Sequence, residues 1–313
     1  MDATTKAGLL YRSFALLTRL PWPVLCRLGN ALAWLWMRTD ARESRVTRRN
    51  LELAFPQLDP AGRAAMHASA MRATARQAIE TLWLWTRRPA DTLARCLRVR
   101  HGQELYDAAH ASGRGLIVIA PHHGNWEMLN QWLASRGPIA IVYAPPESAV
   151  GDAFLQKVRG VDNITQVRAE GPAVRQMLKT LKAGGTVGIL PDQQPKQGDG
   201  VFVPFFGIDA LTMTLVNRLA ARTGAELLYA WCERDADRGS QRTPRFTLHV
   251  EPAPAELGGE DPVTATARLN ADIEAIVRRA PEQYQWSYKR FTLRPPGSGQ
   301  DNPYADLRRP RRR

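Results

Sequence analysis

A chain of 313 residues that is 44% hydrophobic and 23% charged can bury a full core, and it reads as one large domain with an appended helical region. The formal charge of +13 points to anionic partners, although only six of the 43 basic residues are lysines, so an arginine-favouring genome could account for much of the excess. Cys26, Cys96 and Cys232 stand far apart without Cys-x2-Cys or Cys/His ligand spacing, which argues against a disulfide framework or a zinc site and for a reducing cytoplasmic setting.

Residues 9–37 are the most apolar part of the N-terminus, but Arg12, Arg19 and Arg27 interrupt them, as do Pro21 and Pro23. The longest uncharged run, 28–37, falls short of the roughly 20 apolar residues that cross a bilayer. With Trp22, Trp34 and Trp36 beside the cationic edge of Arg12 and Arg19, the segment suits a helix or helical hairpin lying in the membrane interface. It carries no small-residue cleavage signature, so export through a signal peptide is not expected. Arg38, Arg42, Arg45, Arg48 and Arg49 follow directly, and positive charge flanking an anchor predicts that the next domain stays cytoplasmic. Asp59-Pro60 opens a further helix, in which Met66, Ala70, Ala73, Ile79, Leu82 and Trp83 form an apolar packing stripe.

From residue 97 the pattern changes to alternating short strands and helices. Strands are expected at 97–99, 116–120, 139–143, 164–167, 186–190, 226–232 and 246–250, and helices at 103–111, 126–135, 151–158, 172–182 and 211–223. This alternation predicts an α/β fold with a largely parallel sheet flanked by helices on both faces. Ligands of such sheets gather at the carboxyl ends of strands, where His122 and Asp192 both fall. A last helix at 263–279 precedes Tyr284-Gln-Trp-Ser-Tyr-Lys-Arg290, and the arginine-rich ending at 308–313 suits contact with anionic lipid. The expected division is a membrane-associating helical segment at 1–40, a catalytic domain at 41–295 and a basic tail at 296–313.

The chemistry concentrates in Leu116-Ile-Val-Ile-Ala-Pro-His-His-Gly-Asn-Trp-Glu127. The apolar run reads as a buried parallel strand, and Gly124 and Asn125 permit a sharp turn into a helix near Trp126. His122 and Glu127 then converge across a strand-to-helix corner, and an imidazole oriented by a carboxylate is a general base. His123 is the competing imidazole, with the plainer reading of a residue that packs or hydrogen-bonds locally. The chain has no Gly-x-Ser-x-Gly elbow, and no cysteine in a matching context, to supply a covalent nucleophile. A metal reading of His122, His123 and Glu127 lacks a His-Glu-x-x-His helix or a third ligand.

The His-x4-Glu pattern, together with Asn50-Leu-Glu-Leu-Ala-Phe-Pro56, Gly188-Ile-Leu-Pro-Asp-Gln193 and Gly200-Val-Phe-Val-Pro-Phe-Phe-Gly207, resembles the His-x4-Asp/Glu acyltransferases. Within them it is similar to the bacterial lipid A late acyltransferases, in which these blocks occur in the same order. The resemblance implies transfer of a fatty acyl group from acyl-carrier protein to a hydroxyl of a lipid A precursor at the cytoplasmic face of the inner membrane, without metal or organic cofactor. It implies an N-terminal membrane anchor, His122 as the base and Glu127 as the group that fixes its ring. By its distance from the motif Arg159 matches a functional arginine that would pair with a substrate phosphate or help to bind the oxyanion, and Asp192 matches an aspartate that binds the acceptor or orders the site.

Phe202, Phe205 and Phe206 are expected either to line an acyl-chain pocket or to fill ordinary core. Lys196 and Arg218 are further candidates for anionic contacts. Where the family often carries an arginine after the tyrosine of its next strand, this chain reads Tyr143-Ala-Pro-Pro-Glu147, which puts local substrate contacts in question. The implied partners are acyl-carrier protein, the glycolipid and anionic inner-membrane lipids; no nucleic-acid motif is present. Rival readings are a glycerophospholipid or other glycolipid acyltransferase, a thioesterase, and a non-catalytic basic membrane-binding protein in which His122 and Glu127 would have no purpose.

Overall fold

The computed structural model describes residues 1–143, 146–160, 163–168, 173–236, 241–259 and 261–307. Four helices open the chain: α1 (Ala3–Leu17), α2 (Trp22–Arg38), α3 (Arg42–Ala54) and α4 (Pro60–Trp85). Asp59 caps α4 by accepting from the Gly62 N–H at 2.7 Å, with Pro60 in the first turn, and a cap of this kind stabilises a helix by about 1 kcal/mol. Helices and strands then alternate as α5 (Pro89–Cys96), β1 (Leu97–His101), α6 (Gln103–Ala111), β2 (Leu116–Ile119), α7 (Trp126–Arg136), β3 (Ile139–Tyr143), α8 (Ala149–Arg159), β4 (Ile164–Arg168), α9 (Ala173–Lys182) and β5 (Thr186–Ile189). The hairpin β6 (Gly200–Phe205) and β7 (Ile208–Met213) comes next, followed by α10 (Leu215–Thr223), β8 (Glu226–Arg234), β9 (Phe246–Pro252) and α11 (Pro262–Arg279).

Seven strands form one sheet in the order β1-β9-β8-β2-β5-β3-β4. Neighbours run parallel except β8 and β9, so the expected largely parallel sheet is present with an antiparallel step near one edge. The period of two along β2 shows why both faces are covered. Ile117 and Ile119 join the core beneath α9, α10 and α11, while Leu116, Val118 and Ala120 join the core beneath α4, α5 and α7. A strand with no exposed residue has no solvent face to offer, and its functional groups have to emerge from its end.

One element differs from expectation. Residues 211–213, expected to begin a helix, instead close the β6–β7 hairpin, and the helix starts at Leu215. Gly200, Val201 and Phe202 pair with them, and Phe206 (φ 52°) and Gly207 (φ 74°) make a two-residue loop with both φ positive, the geometry that matches the twist of paired strands. A phenylalanine in that loop hides the signal, because asparagine, aspartate and glycine are the residues that announce it.

Among the described residues no helix is long and apolar enough to cross a membrane. Helix α1 lies along α8, with Ala7, Tyr11 and Phe14 against Phe154 and Val158. Helix α2 lies on α4, with Trp22 edge-on to Trp83. Leu9 and Leu16 on α1, Leu28, Trp34 and Leu35 on α2, and Leu20 between the two helices remain exposed. The arginine-rich ending at 308–313 lies outside the described residues.

Candidate active site

The corner after β2 is built so that its backbone has one available path. Gly124 has φ 63°, and a Cβ there would stand 2.0 Å from the Cys232 carbonyl oxygen, so only glycine fits. The next N–H, from Asn125, donates to that same carbonyl at 2.8 Å. Asn125 is also the cap of α7, its Oδ1 accepting from the Met128 N–H at 3.0 Å. Its Nδ2 donates at 3.2 Å to Glu80, which is fully buried and paired with the Arg234 guanidinium. The turn is therefore fastened to α4 and β8 before any catalytic group is considered.

His122 leaves the carboxyl end of β2 and meets Asp192, which leaves the carboxyl end of the neighbouring strand β5. The ring Nδ1 and Asp192 Oδ1 are 2.8 Å apart, and the His122 backbone N–H donates to Asp192 Oδ2 at 2.8 Å. The imidazole is 14% exposed and the carboxylate 1%, so the ring faces the surface and its partner does not. Burial pushes the Asp192 carboxyl up, but the His122 imidazole and its ring and backbone N–H donors outweigh it and hold the carboxyl below its ordinary value. An ionised carboxylate only accepts, so Nδ1 carries a proton, and in the neutral ring the lone pair is left on Nε2. Trp126 lies edge-on to the imidazole, with centroids 5.1 Å apart.

The carboxylate expected to fix this ring was Glu127, and the structure corrects that. Among the described residues no hydrogen bond joins His122 to Glu127. In the first turn of α7, Glu127 turns instead to Arg159, the last residue of α8, which grips it through Nε at 3.1 Å and through Nη2. Trp85 Nε1 donates to its other oxygen at 3.0 Å. The cause is topological: β5 lies beside β2 and delivers Asp192 to the ring, while α7 carries Glu127 round toward α8. Glu127 and Arg159 line a cleft of about 380 Å³ with Trp85, Asn130, Gln131 and Lys157.

Of the remaining expected residues, Phe205 and Phe206 are buried in the core, Phe206 edge-on to Phe55 and Trp286, and neither lines the cleft beside Glu127. They fill core because the hairpin folds back on α11, where Asn270 donates to the Pro204 carbonyl at 2.9 Å. Phe202 is partly buried on β6, and Lys196 and Arg218 are exposed. His123 points inward and is fully buried, with no hydrogen bond to either ring nitrogen. Burial, then the nearby Arg234 charge, pushes its pKa down to about 3, so it is neutral and walled off from any substrate.

Tyr284-Gln-Trp-Ser-Tyr-Lys-Arg290 and Gln193 have no role legible in the sequence, and the structure brings both to His122. The Gln285 N–H donates to the His122 carbonyl at 3.0 Å, and Tyr284 bridges to His123. Tyr288 Oη accepts from the Gln194 N–H at 3.1 Å, and Arg290, buried, donates to Leu211 O at 2.6 Å and Thr212 Oγ1 at 2.5 Å. Gln193 Nε2 lies 3.1 Å from His122 Nε2 and 3.0 Å from Gln285 Oε1. The signal available was the adjacency of Gln193 to Asp192; the contact with the strap depends on the tertiary fold.

A model of the bacterial lipid A biosynthesis acyltransferase family matches residues 7–292. The chain belongs to that family. It is 28% identical to the lipid A biosynthesis lauroyltransferase of Escherichia coli over 90% of both chains, and 29% identical to the palmitoleoyltransferase of the same organism over 89% of this chain and 88% of that one. It is also 32% identical to a phosphatidylinositol mannoside acyltransferase of Mycobacterium tuberculosis, over 45% of this chain and 46% of the relative. The family match spans the whole sheet and both carboxylates described above, so acyl transfer in lipid A biosynthesis is the frame in which the His122 corner acts.

Proposed function

We propose that this chain moves a fatty acyl group from the thioester of acyl-carrier protein to a hydroxyl of a lipid A precursor, at the cytoplasmic face of the inner membrane. The observation that carries this reading is the Asp192–His122 pair at the carboxyl end of the sheet, which in the neutral ring leaves the lone pair on Nε2. His122 Nε2 takes the proton of the acceptor hydroxyl while the oxygen attacks the thioester carbonyl, and Asp192 stabilises the imidazolium that forms. The tetrahedral intermediate collapses with loss of the thiolate, which takes the proton back from Nε2.

Transfer is direct in this mechanism. Cys26, Cys96 and Cys232 are all buried, and burial pushes the Cys96 thiol up to about 12 and raises that of Cys232, so neither Cys96 nor Cys232 offers a ready thiolate. Glu127 and Arg159 form part of the wall of the cleft of about 380 Å³, where the pair shapes substrate binding. The exposed Leu9, Leu16, Leu28 and Trp34 of α1 and α2, with arginines close by in sequence, suit a helical hairpin resting in the interface of an anionic bilayer. Replacing Leu9, Leu16 and Trp34 together by aspartate is expected to abolish sedimentation with phosphatidylglycerol-containing vesicles; unchanged sedimentation would remove this part of the reading.

The deciding assay incubates the purified chain with acyl-carrier thioesters and three acceptors: a lipid A precursor, glycerol phosphate and a mannosylated phosphatidylinositol. A mass gain of one acyl group is expected on the lipid A precursor. The mannoside acyltransferase relative favours a second reading, a different glycolipid acceptor, and acylation of the mannolipid alone would establish it. Acylation of glycerol phosphate alone would defeat both.

A further inference from the structure

The proton-accepting nitrogen of His122 already has a partner. With Asp192 as the acceptor on Nδ1, the neutral ring has its lone pair on Nε2, and Gln193 Nε2, an amide nitrogen that can only donate, stands 3.1 Å from it. The same amide nitrogen donates its second hydrogen to Gln285 Oε1 at 3.0 Å, which fixes which end of the carboxamide faces the ring. Gln285 is itself anchored by its backbone N–H on the His122 carbonyl at 3.0 Å. The chain of contacts runs Asp192, His122, Gln193, Gln285 and back to His122, so the carboxamide is placed by the same corner that places the base.

An acceptor hydroxyl that gives its proton to Nε2 has to occupy the position of this amide. The displaced N–H is then left beside the position of attack, on a side chain whose other hydrogen stays on Gln285. A donor aimed at developing oxyanion charge in a partly buried site is worth about 10²–10³ in kcat.

Resting on the acyl-transfer reading above, we propose that Gln193 is a further catalytic residue, a carboxamide that holds the lone pair of His122 until the acceptor hydroxyl arrives and then donates to the thioester oxygen as it becomes an oxyanion, with Gln285 keeping it in reach. In that step the hydroxyl oxygen bonds to the carbonyl carbon, its proton passes to Nε2, and the carbonyl π pair moves to the oxygen that Gln193 receives. Collapse restores the carbonyl, breaks the carbon–sulfur bond and sends the proton from Nε2 to the departing thiolate. Gln193 gains and loses no atom.

The test is steady-state kinetics of the full chain with an acyl-carrier thioester and its acceptor. Gln193→Met removes the donor and is expected to lower kcat by about 10²-fold while the KM of each substrate stays within about threefold, because the donor acts on charge that exists only in the transition state. Gln285→Met leaves the amide but loosens it, and a smaller loss, about tenfold, is expected. A residue that only screens the base would give the opposite split: Gln193→Met would keep kcat and lower the acceptor KM, and that result overturns the proposal. If Gln193→Met fails to fold by circular dichroism, Gln193→Glu keeps the shape while replacing the donor by an acceptor, and wild-type kcat in that variant also overturns it. His122→Ala separates the two levels: activity retained there defeats the acyl-transfer mechanism itself, whereas activity lost there but kept in Gln193→Met defeats this inference alone.

Discussion

The two sides of the β2–α7 corner carry two buried carboxylates that the same stretch of structure treats in opposite ways. Asp192 is spent on an imidazole that faces outward, and Glu127 on a guanidinium that walls a cleft. One partner is a group whose protonation changes during a reaction, and the other is a fixed cation. A carboxylate beside a titrating ring sets what that ring can do with a proton, whereas one paired with arginine sets shape and charge. In the proposed mechanism the corner divides its acids between proton transfer and substrate placement, and the division can be tested one residue at a time.

The largest effects belong on the imidazole side. His122→Ala is expected to abolish turnover, and Asp192→Asn to lower kcat by about 10³–10⁴-fold, because an amide donor at Nδ1 forces the proton onto Nε2 and removes the lone pair. Both variants should keep wild-type circular dichroism, and Asp192→Asn should leave the KM values near those of the wild type. If Asp192→Asn were nearly as fast as wild type while Glu127→Gln lost the base, the roles assigned to the two carboxylates would be reversed.

Smaller effects, expressed as coupling, belong on the other side. Glu127→Gln and Arg159→Met are each expected to lower kcat/KM by about 10²-fold, and the double variant to be no worse than either, since removing one partner already leaves the other a buried or half-buried unpaired charge. Combining Asp192→Asn with Arg159→Met should instead multiply the two losses. Additivity in the first pair, or strong coupling in the second, would erase the boundary between the two sides.

How far these roles could be read from the sequence follows from the same geometry. The strands, the parallel sheet and the placing of His122 and Asp192 at strand ends were legible, because buried β-branched runs and turn residues are local signals. Their pairing was not, since it depends on β5 inserting between β2 and β3, a strand order that no local pattern announces. Closeness in sequence made Glu127 the natural partner, and a helix that carries it one turn away undoes that choice. Gln193 and the strap at 284–290 were visible as residues and silent as contacts, because a contact between the corner and the far end of the chain leaves no local pattern in the sequence. Phe205 and Phe206 show the converse: an aromatic run left a ligand pocket and ordinary core equally open, and a two-residue hairpin loop with positive φ placed both rings in core.

The comparison sharpens further at His123, which shares the backbone of the corner and none of its chemistry. Its ring is fully buried, lacks hydrogen bonds and has its pKa pushed down to about 3 by burial and then by Arg234. In the unfolded chain the same ring titrates near 6.5, so between those values the unfolded state holds a proton that the folded state refuses. The stability contributed by the neutral ring is thus complete above about pH 6.5 and is lost progressively as the pH falls toward 3. Replacing His123 by methionine is expected to remove this term, lowering the slope of unfolding free energy against pH by up to about 1.4 kcal/mol per unit across that window. Any packing cost of the substitution would appear as an offset that does not vary with pH, so the slope isolates the titration. Urea unfolding of wild type and variant at pH 7, 6, 5 and 4 measures it, and equal slopes would mean that His123 takes up a proton in the folded protein as readily as outside it. The same outcome would place a second titrating imidazole beside the base, and the pH dependence of turnover could then no longer be assigned to His122 alone.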